Sequence, residues 1–114
     1  MNRWDIYWAD VPFEDNPQLS KVRPVIVCAD RKVYVLAVKV TTHEKREINP
    51  YDYSLIFWQE SGLPSESVVR IDKLSQLPPS AFGSFIGRVN PADAVEIQKR
   101  MTQYVQERKL KSNQ

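Results

Sequence analysis

Val33-Tyr34-Val35-Leu36-Ala37-Val38-Lys39-Val40-Thr41-Thr42 is the stretch on which the fold turns. It is rich in β-branched residues, contains no Gly or Pro, and alternates with a period of two, which is how a strand reads. Tyr34, Leu36, Val38 and Val40 share one face, while Lys39, Thr41 and His43 share the other towards the end. That second face turns polar where the strand runs out, so the strand end is a candidate site.

Upstream, Asp30-Arg31-Lys32 is short enough to turn a hairpin into Val22–Ala29, a run apolar on both faces and therefore a central strand. Cys28, the only cysteine, lies inside that run and reads as a small buried hydrophobe rather than a nucleophile. Pro12 to Ser20, with two prolines, reads as a loop long enough to be functional. Before it, Trp4 to Val11 forms an opening strand with Trp4, Ile6 and Trp8 on one side and Asp5 and Tyr7 on the other.

Downstream, a polar stretch from Glu44 to Asp52 leads to a fourth strand expected over Tyr53–Trp58, broken by Glu60-Ser61-Gly62-Leu63-Pro64. The fifth, Ser67–Leu74, places Val68, Arg70, Asp72 and Leu74 on one face and Val69, Ile71 and Lys73 on the other. Arg70 and Asp72 then project together, about 7 Å apart, either as a structural ion pair or as part of a site. A short helical turn is expected from Pro78 through Phe82, then a last strand near Phe85–Val89. Asn90-Pro91-Ala92-Asp93 starts a helix, with Asn as N-cap, Pro first and an acid in the first turn. Ala94, Ile97, Met101, Tyr104, Val105 and Arg108 recur at helical spacing, and Lys109 to Gln114 is expected to fray.

Six short strands and one amphipathic C-terminal helix make a β-rich α+β domain, an antiparallel barrel or strongly bent sheet, since alternating βαβ units are absent. The 114 residues fit one domain, 1–114. No apolar run suits a signal peptide or a membrane span, so a cytoplasmic chain is expected. Charge is unevenly spread: residues 1–20 sum to −3 and residues 21–46 to +5. Such a pattern fits either a mixed solvated surface or a polyanion-binding stripe. One His and one Cys supply no metal-ligand spacing, and the three glycines are too scattered to cradle a phosphate.

Several of these segments, in this order, resemble the MazF/PemK-type toxins of type II toxin–antitoxin systems. Asp5 to Asp10 is similar to their opening strand, and Ser20-Lys21-Val22-Arg23-Pro24-Val25-Ile26-Val27 to the start of their second. Val35 to Thr41 matches their third, threonine-ended strand. Gly62-Leu63-Pro64 and Ser67-Val68-Val69-Arg70-Ile71-Asp72 resemble the PemK/Kid branch, and Phe85 to Val89 with the helix after it also fits. Three departures stand out. Trp4 replaces the family's glycine before the opening acid, the loop Pro12 to Leu19 lacks glycine, and Lys73 replaces a glutamine.

The resemblance implies an SH3-like barrel that dimerises, cuts single-stranded RNA without metal or cofactor, and is silenced by a cognate antitoxin. It assigns catalysis to Arg23, Thr41, Arg70 and Asp72. Lys21, Lys39, His43 and Lys73 are expected to bind substrate, with His43, read from strand parity and not from the resemblance, as a possible extra acid. A 2′-hydroxyl attacking its own phosphate needs a base, for which Asp72 is the candidate, and cations that hold the phosphate oxygens. Arg23 and Arg70 suit the second role, because a guanidinium with a pKa above ~12 is a poor proton donor. Two other readings stay open: a CcdB-like topoisomerase poison, against which the polar C-terminal end counts, and a barrel that binds RNA or protein without cutting.

Overall fold

The computed structural model describes residues 1–42 and 49–112. Six strands form one antiparallel sheet: β1 (Asp5–Pro12), β2 (Ser20–Asp30), β3 (Val35–Thr41), β4 (Asp52–Ser54), β5 (Val68–Leu77) and β6 (Phe82–Arg88). A 3-10 turn at Pro79–Ala81 precedes β6, and the helix α1 (Pro91–Ser112) follows it. The strand order is β4-β5-β3-β2-β1-β6, so β4 and β6 are edges and the sheet is open. Of the two shapes expected, the closed barrel is therefore not formed.

The central strands bury both faces, as the apolar run in β2 requires. Ile26 and Val38 pair across β2 and β3 and belong to the larger core with Ile6, Val69 and Ile71. Ile97 of α1 is buried in that core, and Ala94, Met101 and Tyr104 pack against it. Val25 and Ala37, one residue out of phase, join Ala9, Val11 and Leu77 in a smaller core on the opposite face. Val105 and Arg108, expected in the helix stripe, are exposed. The helix also continues through residues 109–112, where fraying was expected. Its start is as read: Asn90 Oδ1 accepts the Ala92 N–H at 2.9 Å.

Two expectations fail for physical reasons. The fourth strand stops at Ser54, because the buried Asp93 carboxylate accepts the N–H groups of Ile56 at 3.1 Å and Phe57 at 2.9 Å. Those donors are thereby withdrawn from any ladder, and the chain bends at Phe57 and turns at Trp58. In β5 the plain alternation breaks. Leu74 lies opposite Val38, yet Arg70 lies opposite the next residue, Lys39, so Ile71, Asp72 and Lys73 form a bulge. Ile71 points into the larger core, and Leu74 falls on the face opposite Arg70 rather than with it.

Trp4 sits at φ 77, a conformation that costs a bulky residue roughly 1–3 kcal/mol. Its N–H bonds Val27 O at 2.8 Å, its carbonyl accepts from Val89, and the Arg3 guanidinium lies 4.9 Å from its ring centroid. These contacts hold a geometry that glycine would adopt freely. A close backbone crossing ties residues 61–62 to β6. A Cβ on Gly87 would lie 2.1 Å from Ser61 O, and one on Gly62, at φ 90, 2.6 Å from Ile86 O. We expect Gly87→Ala to cost about 2–3 kcal/mol in urea unfolding, since only backbone can yield there. A loss below about 0.5 kcal/mol would show that the crossing is loose.

Candidate active site

Beyond Val25 and Ala37 the smaller-core face runs out of apolar residues, and its next side chains are cationic. Lys39 pairs with Val25 on one side and with Arg70 on the other. Arg23, paired with Ala9, precedes Val25 by two residues on the same face of β2. Arg23, Lys39 and Arg70 are all half-buried. Burial, and then the charge of Arg70, lower the Arg23 pKa. Burial, then Arg23 and Arg70, also lower that of Lys39, with a smaller push from Lys73 and an opposing pull from Glu14.

The Arg23 Nε–H is buried with no hydrogen-bond partner among the described residues. Half-desolvated cations that repel one another are unfavourable for the free fold and favourable for a bound anion. Arg23 opens onto two hollows. One, of about 140 Å³, is lined by Trp8, Lys21, Arg23, Thr41, Pro64 and Ser67 among others. The second, of about 240 Å³, is walled by Arg23, Lys39 and the first-loop residues Phe13, Glu14 and Asp15.

Thr41 is buried at the end of β3, opposite Val68 of β5. Asp72 sits in the β5 bulge, two residues from Arg70, and its Oδ2 accepts from Asn49 Nδ2 at 2.9 Å. The other end of that amide is also used, because Asn49 Oδ1 accepts the Tyr51 N–H at 2.9 Å. Lys73 Nζ meets Glu14 Oε2 at 3.0 Å. His43 lies outside the described residues. Among the described residues no three His, Cys, Asp or Glu side chains group as metal ligands would.

A profile of the PemK-like, MazF-like toxins of type II toxin–antitoxin systems matches residues 2–105. The chain belongs to this toxin family. Two curated relatives, each a probable endoribonuclease MazF2 from a strain of Mycobacterium tuberculosis, are 30% identical over 92 residues, covering 81% of this toxin and 85% of theirs. Among solved structures, an endoribonuclease in complex with its cognate antitoxin from a mycobacterial species superposes with a TM-score of 0.72 at 18% identity. That match covers 92% of this chain and 94% of the other. The Mycobacterium tuberculosis toxin MazF-mt6 gives 0.68 at 18% identity, over 87% and 93%. At such identities the likeness establishes the fold.

In this toxin, Arg23, Lys39, Arg70 and Lys73 share one electrostatic neighbourhood, and Lys21, Arg23 and Thr41 line one cleft. Sequence reasoning missed Asn49 and Glu14. Asn49-Pro50 signals only a turn, and nothing local says that its amide would reach Asp72. Glu14 stood out only as charge in a loop, because its partner is 59 residues away.

Proposed function

We propose that this family member is an endoribonuclease that cuts single-stranded RNA at the Arg23 face. The observation that carries the reading is the set of half-buried, mutually repelling cations beside a buried threonine. A phosphodiester supplies a strong anion to this set. Arg23 and Arg70 grip the non-bridging oxygens, stabilising charge as the phosphorane develops, and Thr41 donates a hydrogen bond to the phosphate. Asp72, oriented by Asn49, takes the proton from the 2′-hydroxyl as it attacks. The 5′-oxygen leaves with a proton, for which His43 is the only imidazole in the chain. Lys21, Lys39 and Lys73 hold flanking phosphates.

Attack by the 2′-hydroxyl dictates the products, a 2′,3′-cyclic phosphate and a free 5′-hydroxyl. In this reading the toxin works as a homodimer in the cytoplasm, where its substrate is. A cognate antitoxin silences it by laying an acidic segment over the cations. Purified protein incubated with long single-stranded RNA in EDTA is expected to yield fragments with those ends. Intact RNA after prolonged incubation, with folded protein in the tube, would overturn the proposal.

A further inference from the structure

The first loop places a carboxylate where the proposed substrate would place a phosphate. Residues 13–19, between β1 and β2, carry Glu14 and Asp15 and no basic residue. Glu14 reaches across to the β5 bulge and pairs with Lys73 at 3.0 Å. Its charge also raises the pKa of Lys39, against the lowering by Arg23, Arg70 and Lys73. The hollow walled by Arg23 and Lys39 has Phe13, Glu14 and Asp15 on its rim. Two departures from the family pattern, the altered loop and Lys73, therefore meet in space through one ion pair.

We infer that Glu14 is an internal mimic of a substrate phosphate: it lies between Lys73 and the hollow walled by Arg23 and Lys39, and RNA must displace it. The inference rests on the RNA reading above. The ion pair is exposed, the Glu14 side chain at 68%, and such pairs contribute about 0–1 kcal/mol. Glu14 is thus a weak competitor, easily displaced, rather than a lock. A phosphate offers more acceptor oxygens and can engage Lys73, Lys39 and the buried Arg23 N–H together. Displacement also changes the salt dependence. In either protein Lys73 neutralises a phosphate and frees a cation condensed on the RNA, but in the native protein the displaced Glu14 carboxylate takes up a cation and offsets that release.

The test measures binding of an all-deoxy, single-stranded version of a cleaved RNA, which lacks the attacking hydroxyl, by fluorescence anisotropy across a salt series. Glu14→Gln is expected to tighten binding about two- to fivefold at low salt. The slope of log K against log salt should steepen by about 0.7. In a Lys73→Ala background the same substitution should give a clearly smaller gain, which a double-mutant cycle reads directly. Equal affinity and slope for wild type and Glu14→Gln, with RNA cleavage intact, would overturn this inference alone. Failure of the wild type both to bind the oligonucleotide and to cut RNA would overturn the RNA reading, and this inference with it.

Discussion

Arg23→Ala and, separately, Asp72→Asn are expected to lower RNA cleavage on the order of 10²- to 10³-fold without unfolding the protein. The two substitutions remove different things. Arg23→Ala takes away a charge-assisted donor aimed at the phosphate, while Asp72→Asn keeps the shape and an acceptor for Asn49 but removes the proton-accepting carboxylate. Stability supplies a second readout. Arg23 is half-buried, its Nε–H has no partner among the described residues, and Arg70 opposes its charge. Its removal should leave the thermal midpoint unchanged or raise it, as expected where a fold gives up stability for a binding site. Activity within about tenfold of wild type in either variant would sink the assignment of that residue. A large fall in the midpoint for Arg23→Ala would show that the side chain is structural instead.

Much of the sheet was legible because its information is local. Val22–Ala29 had to be central because no face of it was polar, and it pairs with β1 and β3 as that demands. Period-two parity put Lys39 and Thr41 on one polar face at the end of β3, and the family resemblance is what proposed a role for Thr41 there. Parity failed in β5, because a bulge is chosen by the partner strands and not by the bulged residues themselves. Ile71-Asp72-Lys73 reads as ordinary strand, and only the pairing of Arg70 with both Lys39 and Asp52 shows that Asp72 leaves the ladder. The site's supports were hidden for a related reason. Asn49 to Asp72 spans 23 residues and Glu14 to Lys73 spans 59, beyond the reach of any local pattern.

Asp93 belongs to the same class of hidden support, and its removal should give the largest loss of stability in the molecule. The carboxylate is fully buried in the first turn of α1. Its Oδ1 accepts from the Tyr53 hydroxyl and the Ile56 N–H, and its Oδ2 from the Phe57 N–H. Burial, and then this hydrogen bond, hold the Tyr53 phenol protonated far above its ordinary pKa. Asp93→Ala would strand three donors at the joint between β4, the turn after it and α1. The expected cost is about 3–5 kcal/mol in urea unfolding, or roughly 10–20 °C in the thermal midpoint. Asp93→Asn separates hydrogen bonding from bulk. An amide oxygen at the Oδ1 position keeps Tyr53 and Ile56 satisfied, while the amide nitrogen faces the Phe57 N–H as donor against donor. The Asn variant should therefore lose clearly less than the Ala variant, yet more than about 1 kcal/mol. If Asp93→Ala costs less than about 1 kcal/mol, the carboxylate is not what ends β4, and the turn at Ile56–Phe57 must hold by packing alone.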